Sequence, residues 1–221
     1  MDNQIVGLAL QDIYRRLMDY YGPQHWWPAE GPFEMMVGAI LTQGTAWRNV
    51  EKAIANLKTA GALSPQALRQ LSLPELSALI RPCGYYNAKA LKLSSLACWL
   101  GEFCDDDLDK LVLIETDYLR RELLSVHGVG GETADSIILY GVGKPIFVVD
   151  AYTRRIINRV GLAAQGSSYA AYQALFMDNL SPDTKLFQEY HALLVCLGKN
   201  VCLKRPLCPK CCLSSVCRFC I

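Results

Sequence analysis

Apolar residues recur along this chain at steps of three and four, and almost nowhere at steps of two. The first run puts Leu10, Ile13, Tyr14, Leu17 and Tyr21 on one face of a helix that Gly22 ends. Pro32 opens a second helix carrying Phe33, Met36, Val37, Ile40 and Leu41. Thr45 is placed to cap a third, with Trp47, Val50, Ile54 and Leu57 inward and Gly61 as terminator. Ser64-Pro65 and Leu73-Pro74-Glu75 each start a short helix, and Asn87 precedes another that turns Leu93, Leu96, Ala97 and Leu100 inward. Asp105, Asp106 and Asp107 read as a solvated acidic turn, after which Thr116 caps the next helix. Residues 151–160, 168–180 and 184–197 complete the series. With no strand alternation, internal repeat or low-complexity linker, the pattern predicts an all-α chain of short helices.

Composition narrows the class. The 221 residues fit one large domain or two small ones, and 52% apolar content supplies a real core. A formal charge of +1 means that any footprint for a polyanion is local. No run of about 18 uncharged apolar residues occurs, so no membrane span is expected. Met-Asp-Asn-Gln at the N-terminus has neither a basic region nor an apolar stretch, so no signal peptide and a cytoplasmic location are expected. Ten cysteines are present. Cys83, Cys98, Cys104 and Cys196 lie in apolar helical sequence and read as small buried hydrophobes. The other six crowd the last twenty residues, and in a reducing compartment clustered thiols favour a metal over disulfides.

Candidate chemistry concentrates between Leu123 and Asp150. Gly128, Gly130 and Gly131 lie between two short helices, with Val126, His127 and Val129 around them. Such a turn can present backbone N–H groups, helped by the positive end of the second helix, to a phosphate read without regard to sequence. The same pattern also serves an ordinary tight helix–helix turn. About 20 residues on, Asp150 stands at the start of a helix, where a carboxylate caps. Near the C-terminus Cys202, Cys208, Cys211 and Cys217 give C-x5-C-x2-C-x5-C, which suits one cuboidal iron–sulfur cluster, with zinc as the rival. Cys212 and Cys220 are left as spare thiols or substitute ligands. Lys204, Arg205 and Lys210 project from this loop region as cations for phosphates or for solvent.

The run Leu-Leu-Ser-Val-His-Gly-Val-Gly-Gly-Glu-Thr-Ala-Asp followed by Val-Val-Asp150 resembles the helix–hairpin–helix DNA glycosylases of the endonuclease III superfamily. Phe33 to Gln43, Gly84 to Ala90 and the cysteine tail match further landmarks in the same order. The resemblance implies a two-lobed fold: a six-helix barrel over residues 24–140 ending in the hairpin, and an iron–sulfur cluster domain from 1–23 and 141–221. It implies a monomer acting on double-stranded DNA with a damaged base, the base lying in the cleft between the lobes beside Asp150 and Glu132. The hairpin residues His127, Gly128, Val129, Gly130 and Gly131, with Lys89, Lys204 and Arg205, would hold DNA. Gln43 would fill the gap left by a flipped base, and Tyr85 would wedge against the partner strand. Cys202, Cys208, Cys211 and Cys217 would carry a [4Fe–4S] cluster, although the first gap is five residues where the family usually has six.

The resemblance also bears on the reaction. Asp150 matches the catalytic carboxylate, which stabilises positive charge on the sugar and orients water. Members that cut the strand carry a Lys immediately before the Thr-Ala pair; here that position is Glu132, and a carboxylate cannot form a Schiff base. A monofunctional glycosylase is therefore expected. Glu132 would accept a hydrogen bond from the base, tune Asp150, or simply favour its own helix N-terminus. Trp26, Trp27 and Trp47, together with Glu132, resemble the branch that excises alkylated purines such as 3-methyladenine, whose positive charge suits electron-rich rings. Alternatives are oxidised pyrimidines, mismatched bases, or a catalytically silent iron–sulfur protein that only binds DNA.

Overall fold

A computed structural model describes residues 3–162, 164 and 166–220. Every regular element among them is helical. No described helix is long and apolar enough to cross a membrane. The chain divides into two compact units: residues 27–144, and residues 1–26 together with 145–221.

The central unit holds α2 (Pro32–Leu41), α3 (Trp47–Thr59), α4 (Pro65–Gln70), α5 (Leu73–Leu79), α6 (Tyr86–Cys104), α7 (Lys110–Leu113), α8 (Thr116–Ser125) and α9 (Gly131–Ser136), which runs on into a π-helical segment, Ile137–Val142. Eight of the ten residues of α2 are buried, so this helix is core on every side. Each large apolar side chain fully buried there contributes roughly 1.5–3 kcal/mol. Gly141 brings the π-helical segment close: a Cβ there would lie 3.2 Å from Met35 Sδ.

Several element ends differ from the sequence expectation. Thr45 does not cap α3, whose cap position is Ala46 without a side-chain bond; the Thr45 hydroxyl donates to Cys83 O at 2.6 Å instead. Helix α6 starts before Asn87, from Tyr85 in a left-handed conformation. Glu115 rather than Thr116 caps α8, accepting from the N–H groups of Asp117 and Tyr118. The acidic turn is not all solvated: Asp106 pairs with both outer nitrogens of Arg69, which also donates to Ala97 O. Cys83 and Cys104 are buried as expected, but Cys98 lies on the exposed side of α6.

The second unit contains α1 (Asn3–Tyr21), α10 (Ala151–Val160), α11 (Tyr169–Met177), α12 (Thr184–Asn200) and a 3-10 turn at Cys208–Lys210. Phe147 stacks on Phe176 at 3.7 Å between ring centres, with Phe187 and Tyr190 edge-on. The Tyr190 hydroxyl donates to Leu10 O, tying α12 to α1. Ile146 to Val149 is buried yet lies in neither a helix nor a sheet. Side chains bond part of its backbone: Phe147 O accepts from Gln173, Phe147 N–H points at Met177 Sδ, and Val149 N–H donates to the Tyr169 hydroxyl. That anchored segment delivers Asp150 to the start of α10.

Candidate functional site

In the central unit the turn between α8 and α9 is held from below. Val126 and Val129 are buried, Val129 N–H bonds Val126 O, and Ala134 N–H bonds Gly130 O. Gly128 has φ +81°, and a Cβ on it would meet Lys92 Cγ at 2.3 Å, so both backbone and space require glycine. His127 and Gly130 are exposed, with Gly130 at the cap position of α9 and Gly131 its first residue. First-turn N–H groups at such a position have no partner inside the helix.

Gln43 is bound to this turn. Its Nε2 donates to Gly128 O at 3.2 Å and Thr133 Oγ1 at 3.0 Å, and its Oε1 accepts from Lys92 Nζ at 2.6 Å. Two features expected separately on the DNA-facing side are thus one hydrogen-bonded assembly. Sequence reading missed Lys92, which has no spacing signal and acts only through the fold. Tyr85 stands out at 81% exposure with φ +48°, a conformation costly for an aromatic residue.

Lys89 corrects the sequence reading. Expected to face DNA, it is 2% exposed, and Nζ donates to Leu41 O, Thr45 Oγ1 and Cys83 O at 2.6–3.0 Å. Burial pushes its pKa down, and three acceptors satisfy the three donors of its ammonium. Its role is internal: it ties the Gln43 loop to the Tyr85 turn.

Trp27 packs edge-on against Trp47 at 5.6 Å and tilted against Tyr140 at 5.5 Å. Its indole also covers Gly38, where a Cβ would come within 3.2 Å of Nε1. Trp26 falls in the other unit. Glu132 is exposed in the first turn of α9, where the helix dipole favours a carboxylate.

In the second unit Asp150 caps α10, its Oδ1 accepting from Thr153 N–H at 2.7 Å. The residue is 9% exposed. The buried imidazole of His191 lies against it, Nε2 at 4.0 Å from Oδ2. Nothing in the sequence singled out His191, because it is one polar residue in an otherwise apolar stretch of α12.

The far end of α10 meets the cysteine loop. Arg159 donates to Cys202 Sγ, Leu203 O and Lys204 O, while its own carbonyl accepts from the Cys217 thiol and from Phe219 N–H. Burial pushes the Cys211 thiol up, and negative charge on Cys202, Cys217 and Cys208 acts the same way. Cys220 is pushed up to about 12, chiefly by its hydrogen bond with Cys208, then by burial and a bond with Cys217. Four neighbouring thiols suit an iron–sulfur cluster in chemistry. As placed, no group of three or more described His, Cys, Asp or Glu side chains has the geometry of a metal site. Lys204, Arg205 and Lys210 are exposed.

Residues 37–182, which include the glycine turn and Asp150, match the model of the HhH-GPD superfamily base excision DNA repair proteins. The chain belongs to that superfamily. A candidate DNA repair glycosylase of Methanocaldococcus jannaschii is 43% identical over 212 residues, covering 93% of this chain and 94% of the relative. An endonuclease III of Sulfolobus acidocaldarius is 27% identical over 85% of this chain and 82% of its own. Among solved structures, an endonuclease III trapped as a covalent intermediate with DNA superposes with a TM-score of 0.82, at 22% identity, over 96% of both chains. A Helicobacter pylori 3-methyladenine DNA glycosylase bound to 1,N6-ethenoadenine gives 0.69, at 25% identity, over 90% of this chain and 98% of that one. The chain is thus an all-helical member of the HhH-GPD family of base excision repair DNA glycosylases.

Proposed function

We propose that this protein is a monofunctional glycosylase that hydrolyses the N-glycosidic bond of a flipped-out alkylated purine, such as 3-methyladenine, and leaves an intact abasic site. The observation that carries the reading is Glu132 at the position where strand-cutting members present lysine. Without an amine there, the sugar is attacked by water and no imine forms. Asp150, fixed by its cap, stabilises positive charge on the sugar as the bond breaks and orients the water. Trp27, Trp47 and Tyr140 form an aromatic group of the kind that stacks on a cationic purine, and Glu132 accepts a hydrogen bond from it. The turn at 127–131, exposed at His127 and Gly130, and the cations Lys204 and Arg205 hold phosphates, with Tyr85 as the wedge. Gln43 fills the gap after exchanging its bonds to the turn for the orphan base. Cys202, Cys208, Cys211 and Cys217 would hold a [4Fe–4S] cluster, which would give the loop that carries those cations a rigid core.

A panel of duplexes, each with one lesion, tests this. Release of 3-methyladenine without strand scission is expected. Strand cutting, or a borohydride-trapped protein–DNA adduct, would refute the monofunctional assignment. The second reading, an endonuclease III-like enzyme for oxidised pyrimidines or mismatched bases, is favoured by the endonuclease III relative and would show as release of those bases alone.

A further inference from the structure

Helices α10 and α12 pack unusually closely within their unit. A Cβ on Gly198 would lie 2.6 Å from Tyr152 Cβ, so α12 approaches α10 where it has no side chain. Arg155 then donates to Gly198 O and Cys202 O, both at 2.8 Å, locking the contact. His191 precedes Gly198 by seven residues, two helical turns, and therefore shares its face. The close approach at Gly198 carries His191 to the start of α10 and to Asp150.

The two carboxylate oxygens of Asp150 have different surroundings. Oδ1 is taken by the cap bond from Thr153 N–H, while Oδ2 faces His191 Nε2 at 4.0 Å. Both residues are nearly enclosed, at 9% and 5% exposure. Burial lowers the His191 pKa, against a smaller opposing pull from the Asp150 charge, and so favours the neutral imidazole. A buried His commonly serves packing alone, but packing does not require a ring nitrogen aimed at a carboxylate oxygen.

Building on the role given to Asp150 above, we infer that His191 is a positioning residue for it. In the DNA complex the 4.0 Å gap closes, as catalytic contacts commonly tighten on binding, and Nε2–H donates to Oδ2. The cap then holds one oxygen and His191 the other, which fixes the carboxylate plane toward the sugar. A neutral donor does this without cancelling the negative charge, as lysine or arginine would.

The test uses two duplexes that need no knowledge of the lesion. One carries a pyrrolidine abasic-site analogue, whose ring nitrogen is cationic where sugar charge develops; the other carries the neutral tetrahydrofuran analogue. Wild type is expected to prefer the cation, and Asp150→Asn to lose the preference. His191→Leu should cut the preference about tenfold with tetrahydrofuran affinity unchanged, and His191→Gln, which keeps an N–H donor, should restore it to within about threefold of wild type. His191→Met replaces the Leu variant if thermal melts show the latter misfolded. Full preference in the apolar variant would overturn the inference while leaving the role of Asp150 standing. Absence of preference in wild type would sink the reading of Asp150 and this inference with it.

Discussion

Arg159 Nη1 donates to Cys202 Sγ at 3.1 Å from the last turn of the helix that Asp150 caps. One ten-residue helix, about 15 Å long, therefore has the candidate catalytic acid at its start and the cysteine loop at its end. Arg159→Ala removes donors to Cys202 Sγ, Leu203 O and Lys204 O. We expect faster loss of iron to a chelator and about 1–3 kcal/mol lower stability. Iron and sulfide content, visible absorbance and thermal melts read this; a variant that holds iron as wild type does would show that the loop is organised without Arg159.

Asp150→Asn separates capping from catalysis. Asparagine caps as well as aspartate, so Thr153 N–H keeps its acceptor and the fold should hold. Base release should fall by about a hundredfold or more, with lesion-DNA affinity retained. Single-turnover assays and gel shifts give both numbers, and unchanged release would remove Asp150 from the reaction.

Glu132→Lys restores the residue type that strand-cutting members carry at this position. The variant should yield a borohydride-trappable adduct on lesion DNA, visible as a shifted band, where wild type yields none. If no adduct forms in a variant that still binds DNA, position 132 does not present its side chain to the sugar.

Tyr85 is left-handed and solvent-exposed, so it pays for its conformation without packing. Tyr85→Gly should raise stability by about 1 kcal/mol, because glycine adopts this φ freely. The same change should raise KM for lesion duplex about tenfold through loss of stacking. A fall in melting temperature would contradict the first expectation; unchanged KM would contradict the second.

Asp106 gives a pH signature. The Arg69 guanidinium beside it holds its carboxyl below the usual carboxylate range, so the folded state binds the proton more weakly than the unfolded chain. Its stabilisation is full above the unfolded pKa of about 4 and disappears as pH falls through the lower folded value. Asp106→Asn keeps the left-handed φ of +62° tolerable and removes the charge. Melting temperatures of wild type and variant should differ at pH 6 and converge in acid below the folded value. A constant difference down to that pH would assign the stabilisation to shape rather than charge.

Helical periodicity was legible because burial of one face imposes it locally: Leu10, Ile13 and Leu17 are buried as their spacing implies. The glycine turn was legible because positive φ and close approach leave few residue types for Gly128. Caps were read less well, since a hydroxyl such as that of Thr45 bonds whichever acceptor the fold brings nearest, here Cys83 O. Lys89 failed for the same reason: cationic chemistry suggests solvent or phosphate, and three oxygens decided otherwise, those of Leu41 and Thr45 from a distant segment and that of Cys83 from the turn before its own helix.

By itself the sequence determined the helical class, the glycine turn, the cysteine spacing, and that position 132 offers a carboxylate rather than an amine. These are local properties, set by period, backbone freedom and side-chain chemistry. Tertiary structure alone decided that Gln43 is bound by Lys92 and the turn, that Arg159 reaches into the cysteine loop, and that His191 faces Asp150. Each joins residues 41 to 90 positions apart, and no local preference records such a partnership, because packing of whole helices sets it.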